Sequence, residues 1–321
     1  VSTTVNTKDI YANSIDISGG NLNLGDINTS TVLSGNTINI SGGTINLNNT
    51  EIHASTTEPT GVKAFTSTGA TINMLGNNKL GAFNASDYIY SASIGVGGNT
   101  NTINIGNENP AKTDVLTVAA GAGDFVFGSN SIINVKSDGI LNLSPTIGNI
   151  TFQTGSEINN SGTINIQAGA EDKTVQLAIL TGNTGSLNVA GNADIIGSVV
   201  TNTFTQTSGK TTLGTGGSLT ALDATSPISV TGGAFSFKGN NAVVTAENGP
   251  FVLQNANTEL LAESGTGNSL SAKQISITDG KITLLEGTGL TLTPGSGNIQ
   301  INNATTTLEG NSQLTVDTTN G

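Results

Sequence analysis

Cysteine, tryptophan and arginine are all missing from this 321-residue chain. Without cysteine there is no disulfide, no thiol nucleophile and no cysteine-held zinc or iron–sulfur site. Without arginine, and with 10 basic residues against 22 acidic ones, nothing gathers to neutralise phosphates or to read bases. That balance speaks against nucleic acid as a partner and against an anionic membrane surface. Aromatic residues make up only 4% of the chain and charged residues 10%, so a broad aromatic binding platform is not expected. No apolar run reaches the roughly 18 residues that a membrane-spanning helix needs. The opening Val1-Ser2-Thr3-Thr4-Val5 is neither basic nor a signal core. If the protein is exported, its signal lies outside this chain. The chain stops just after a strand, at Asp317–Gly321, which leads us to expect a fragment or processed piece. A net charge of −12, spread thinly, fits life outside the cytoplasm.

What is present is glycine, 43 residues of it, together with asparagine, threonine, serine and β-branched aliphatics. One unit recurs. In Thr37-Ile38-Asn39-Ile40-Ser41-Gly42-Gly43-Thr44-Ile45-Asn46-Leu47 an apolar residue alternates with a polar one, which puts Ile38 and Ile40 on one side of a strand and Asn39 on the other. Gly42-Gly43 turns the chain, because glycine adopts the backbone angles of a tight corner without steric cost. Ile45 and Leu47 begin the next strand. The unit is already present at Ser14–Gly25 and returns at Ile228–Phe237 and Gln274–Leu284. Single strands of the same kind fill the intervals, among them Thr71–Met74, Thr102–Gly106, Ile140–Leu143 and Thr163–Ile166. A period in the twenties built from short strands is the mark of a solenoid, since one coil cannot bury its apolar side alone and stacked coils can. The expected fold is therefore all-β: an elongated, right-handed parallel β-helix in one domain over residues 1–321, with coils of about 22 residues stacked at about 4.8 Å. The rhythm breaks near 51–70, 80–98 and 107–128, where irregular coils or projecting loops are expected.

At its Ile-Asn-Ile-Ser-Gly-Gly units, and in segments such as Gly191-Asn192-Ala193-Asp194-Ile195-Ile196-Gly197-Ser198-Val199, the chain resembles the β-helical passenger regions of bacterial autotransporters and the related haemagglutinin-like exoproteins. A secretion domain at the start and a membrane β-barrel at the end, both usual in those families, are not recognisable in it. The resemblance implies an adhesin on the bacterial cell surface, a virulence-type secreted protein displayed at the outer membrane. Its partner would be a protein or glycan of a host or neighbouring cell. Two other readings stand beside it: a self-assembling surface-layer or filament subunit, and a β-helical enzyme acting on polysaccharide.

Few residues stand out as chemistry. His53 is the one histidine, which leaves no Ser-His-Asp set with any spacing behind it and no histidine cluster for a metal. Gly121-Ala122-Gly123-Asp124-Phe125-Val126-Phe127 has a calcium-nonapeptide look, yet its Gly-to-Asp spacing is wrong and it occurs once, so a turn leading into a strand is expected. Gly214-Thr215-Gly216-Gly217 lacks the Lys-Ser/Thr and the helix of a phosphate loop. Asp87-Tyr88-Ile89-Tyr90 is the best candidate contact surface. Tyr88 and Tyr90 share one side of a strand there, and paired tyrosines suit protein or glycan contacts. The sequence thus leads us to expect a non-catalytic protein with no cofactor and no metal, binding through Asp87, Tyr88 and Tyr90.

Overall fold

The computed structural model describes residues 2–4, 9–25, 30–53, 63–81, 90–96, 98–109, 111–120, 124–145, 148–169, 173–182 and 184–318. Short strands joined by tight corners make up nearly all of it. The chain forms two compact units, Val1–Ile179 and Leu180–Gly321. Each is a parallel β-solenoid.

In the first unit each turn passes three stacked sides, with Asp9–Ile17 and Thr31–Ile40 each running along two of them, and equivalent strands stack in parallel register. Ile15, Ile38 and Phe65 stand one above another, as do Phe125, Ile150 and Val175. A second column runs Leu22, Ile45, Ile72, Ile103, Ile133, Ile158. A third runs Leu33, Ile52, Leu80, Val118, Leu143, Ile166. The physical cause is the alternation read from the sequence: each strand turns every second side chain inward, where it stacks on its equivalents in the turns above and below. Ile38, Ile72, Ile103 and Leu143 are fully buried, and each such side chain contributes about 1.5–3 kcal/mol.

Corners work as expected at Gly42-Gly43. Gly43 has a φ of +90°, and a Cβ there would lie 2.5 Å from the carbonyl oxygen of Gly20 in the turn below. The interior is not wholly apolar, however. Asn78 and Asn101 sit buried at corners, where the turning backbone leaves groups outside the sheet ladder. Asn78 accepts the N–H of Thr50 at 2.9 Å and donates to the carbonyl of Leu75 at 2.8 Å.

The outer side of the second column carries a continuous side-chain ladder. Asn46 donates to Asn23, Asn73 to Asn46, Asn104 to Asn73, Asn134 to Asn104 and Asn159 to Asn134, at 2.6–3.0 Å. Successive rungs are 23, 27, 31, 30 and 25 residues apart. The repeat is thus fixed in space but not along the chain, because the corner loops differ in length.

Of the stretches where the rhythm breaks, residues 54–62 and 82–89 lie outside the described residues. Lys63–Ser67, Tyr90–Ile94, Asp114–Ala119 and Phe125–Phe127 are strands paired in register with the turns on either side. Phe65, Ile94, Val118 and Phe125 supply the inward side chains there.

The second unit repeats the scheme with more leucine and alanine, and less isoleucine, in its interior. Phe204, Ile228, Phe251 and Ile275 form one column, and Phe235, Leu260 and Ile282 another. The ring of Phe235 meets those of Phe204 and Phe251 edge-on at 5.8 Å and that of Phe237 at 6.0 Å. The aromatics the sequence does have are spent largely inside the solenoid rather than on a contact surface.

Candidate functional site

Asp87 and Tyr88 lie outside the described residues. Tyr90 opens the strand Tyr90–Ile94 and stands in register with Lys63. His53 closes the strand Thr50–His53 opposite Ser34. Asp124 accepts the N–H of Asn149 at 2.8 Å just before the strand Phe125–Phe127. Gly214–Gly217 is a corner closed by the Gly217 N–H on the Gly214 carbonyl at 2.9 Å. Asp124 and the Gly214–Gly217 corner are therefore accounted for by the backbone they terminate.

The structure assembles its most distinctive outward chemistry elsewhere, at one corner of the first unit. Two turns round this corner briefly, at Asn48-Asn49 and at Leu75-Gly76. The next turn rounds it with a longer loop between the strands Asn101–Ile105 and Asp114–Ala119. The loop is tied down from the turn above it. Asp138, only 9% exposed, accepts the N–H groups of Asn107, Glu108 and Asn109 at 3.2, 3.0 and 2.9 Å. Burial works against its charge, but those backbone donors outweigh it and hold the carboxyl below its usual value. Asn107 Oδ1 and Asn109 Oδ1 cap the N–H groups two residues further on, at 3.0 and 3.1 Å. Lys136 pairs with Glu108 at 3.1 Å.

Held this way, the loop and the two short corners frame a half-open pocket of about 280 Å³ lined by Asn48, Asn49, Leu75, Gly76, Asn107, Lys112, Thr113 and Asp114. Gly76 forms part of its lining. Its φ is +68°, and a Cβ there would lie 2.3 Å from Asn49 Oδ1. Asp114 is 3% exposed. One of its oxygens accepts the Gly76 N–H at 2.7 Å, and the other is buried with no hydrogen-bond partner. Lys112 is exposed. The pocket thus offers carboxamides that both donate and accept, and a cation.

A second polar group lies on an outer side of the second unit. Asp194, Thr212 and Ser236 follow one another in register on adjacent turns. Glu263 takes hydrogen bonds from Ser236 and from Lys210, the latter at 2.6 Å. Partial burial pushes the Asp194 carboxyl up, against the opposing pull of the Thr212 hydroxyl and of Lys238 and Lys210. Glu263 is partly buried too, yet Lys210 and Ser236 hold its carboxyl below its usual value. Two carboxyls are shifted in opposite directions here, and the lysine and the serine both bond the Oε1 of Glu263.

No protein-family model matches the chain, and no curated protein matches it. Among solved structures, a crystal structure of a TibC-catalyzed hyper-glycosylated TibA fragment is similar over 99% of this chain and 98% of that one, at 14% identity and a TM-score of 0.28. A likeness of that size decides nothing about function. The parallel β-solenoid itself is the fold that the resemblance to autotransporter passengers implied.

Sequence reasoning located the loop as a break in rhythm near 107–128, with Lys112 and Asp114 inside it. It had no means of pairing that loop with Asn48 and Asn49, which come two turns earlier.

Proposed function

We propose that this chain is an adhesin-like, non-catalytic protein of the bacterial cell exterior, a solenoid scaffold that makes contacts through its outer corners. The observation behind this reading is the division of labour between inside and outside. Inward positions are filled by Ile, Leu, Val and Phe stacked turn on turn, while one outward column of the first unit is satisfied within itself by the asparagine ladder. The lengthened corner before Asp114 adds an outward pocket lined by carboxamides and a lysine. A scaffold of this kind needs no cofactor, and its partner would be a protein or glycan on another surface.

The test is saturable binding of the purified chain to cell surfaces, repeated with residues 106–113 replaced by a one-residue corner like that at Gly76. Dose-dependent binding that falls when the loop is shortened supports the reading. Absence of saturable binding would overturn it, as would release of reducing ends from a polysaccharide panel. Concentration-dependent polymerisation without cell binding would point to the filament reading instead.

A further inference from the structure

Two asparagines in this chain precede a glycine, Asn248 and Asn320. Asn320 lies outside the described residues. Asn248 is exposed and Gly249 buried, within the strand Val243–Gln254 of the second unit. The ladder slips at this point. Ala246 pairs with Ala272 and Pro250 with Gln274, so Glu247, Asn248 and Gly249 stand opposite Lys273 alone. Residues of such a bulge are released from the regular ladder, and the strand bends there. The packing also explains the glycine. A Cβ at position 249 would lie 2.6 Å from Pro227 Cδ, 2.8 Å from the carbonyl oxygen of Asp223 and 2.9 Å from that of Ala224. A close backbone approach of this kind admits glycine and excludes larger residues.

With no side chain at 249, nothing shields the Asn248 carboxamide from the backbone nitrogen that follows it. That nitrogen, giving up its proton to solvent, can bond to Cγ of Asn248, while Nδ2 takes up a proton and leaves as ammonia. Water then opens the cyclic imide at either carbonyl, giving aspartate or isoaspartate with no change of oxidation state. We propose that Asn248 is a site of spontaneous deamidation, a self-modification that places a negative charge on the second unit at this bulge. The amide lost is the one that donates to the Leu222 carbonyl at 3.2 Å. A carboxylate in its place has no proton to give and faces an acceptor. Isoaspartate also adds a methylene to the backbone. A bulge, already out of step with its neighbour, absorbs that extra length where a fully paired strand would not.

The experiment incubates the full folded chain at mildly alkaline pH, beside a parallel sample held unfolded in denaturant. Trypsin then releases Gly239–Lys273 as one peptide, because the chain has no arginine and no lysine between Lys238 and Lys273. Mass spectrometry of the folded sample should show conversion of amide to acid at Asn248 several-fold faster than at Asn240, Asn241, Asn255, Asn257 and Asn268 in the same peptide. The product should contain isoaspartate, detected as a substrate of an isoaspartyl methyltransferase. Asn248→Gln must close a larger ring, and its conversion should be several-fold slower. Conversion at Asn248 no faster than at the other asparagines, aspartate without isoaspartate, or conversion confined to the unfolded sample would overturn the proposal.

Discussion

Replacing Asn104 tests whether the outer ladder holds the turns together or merely decorates them. Asn104 donates to Asn73 at 2.8 Å and accepts from Asn134 at 2.8 Å, so Asn104→Ala breaks two bonds at once. Each bond is only part-buried, and water can replace the missing partner, so the net value of a protein hydrogen bond applies, roughly 0.5–1.5 kcal/mol. The expected loss is about 2 kcal/mol. Asn159 donates to Asn134 alone, and Asn159→Ala should cost about half as much. Denaturant unfolding followed by circular dichroism measures both, and the double variant Asn73→Ala/Asn104→Ala gives the coupling directly. The two single losses should then sum to more than the loss in the double variant by about 1 kcal/mol, because the shared bond is counted twice. Equal losses at Asn104 and Asn159, or a coupling of zero, would show that the ladder contributes nothing beyond what water offers.

Two further outcomes follow from the carboxyls. Asp138→Ala should release the loop that frames the cavity, seen as faster hydrogen exchange at Asn107, Glu108 and Asn109 and a loss of about 1.5–3 kcal/mol. Because the folded state holds the Asp138 carboxyl below its usual value, its contribution is present above the unfolded value near 3.8. That contribution fades as pH falls through the folded value. Asp194 has the opposite sign. Its carboxyl is pushed up by burial, so its ionised form weighs against the fold as pH rises through the folded value. Asp194→Asn should therefore stabilise the protein at neutral pH, with the gain disappearing in acid. A gain that grows as pH falls would contradict the assignment.

The alternation of Ile, Leu and Val with Asn and Thr, punctuated by Gly-Gly, was enough to specify strands, corners and a stacked interior. Those are properties of a few neighbouring residues, set by the two-residue period of a strand and by the angles glycine reaches. Ile38, Ile228 and Ile275 are buried as that pattern requires, and Ile15 is half-buried. The partners across turns were not legible. Whether Asn46 meets Asn23 or Asn73 meets Asn46 depends on how many residues each corner takes, and the spacing along the ladder runs from 23 to 31. The same holds for the cavity. Asp114 lines one pocket with Asn48 and Asn49, residues that come two turns earlier and that no local pattern links to it. The tertiary structure decided which turn lies against which, and with that, which side chains share a corner.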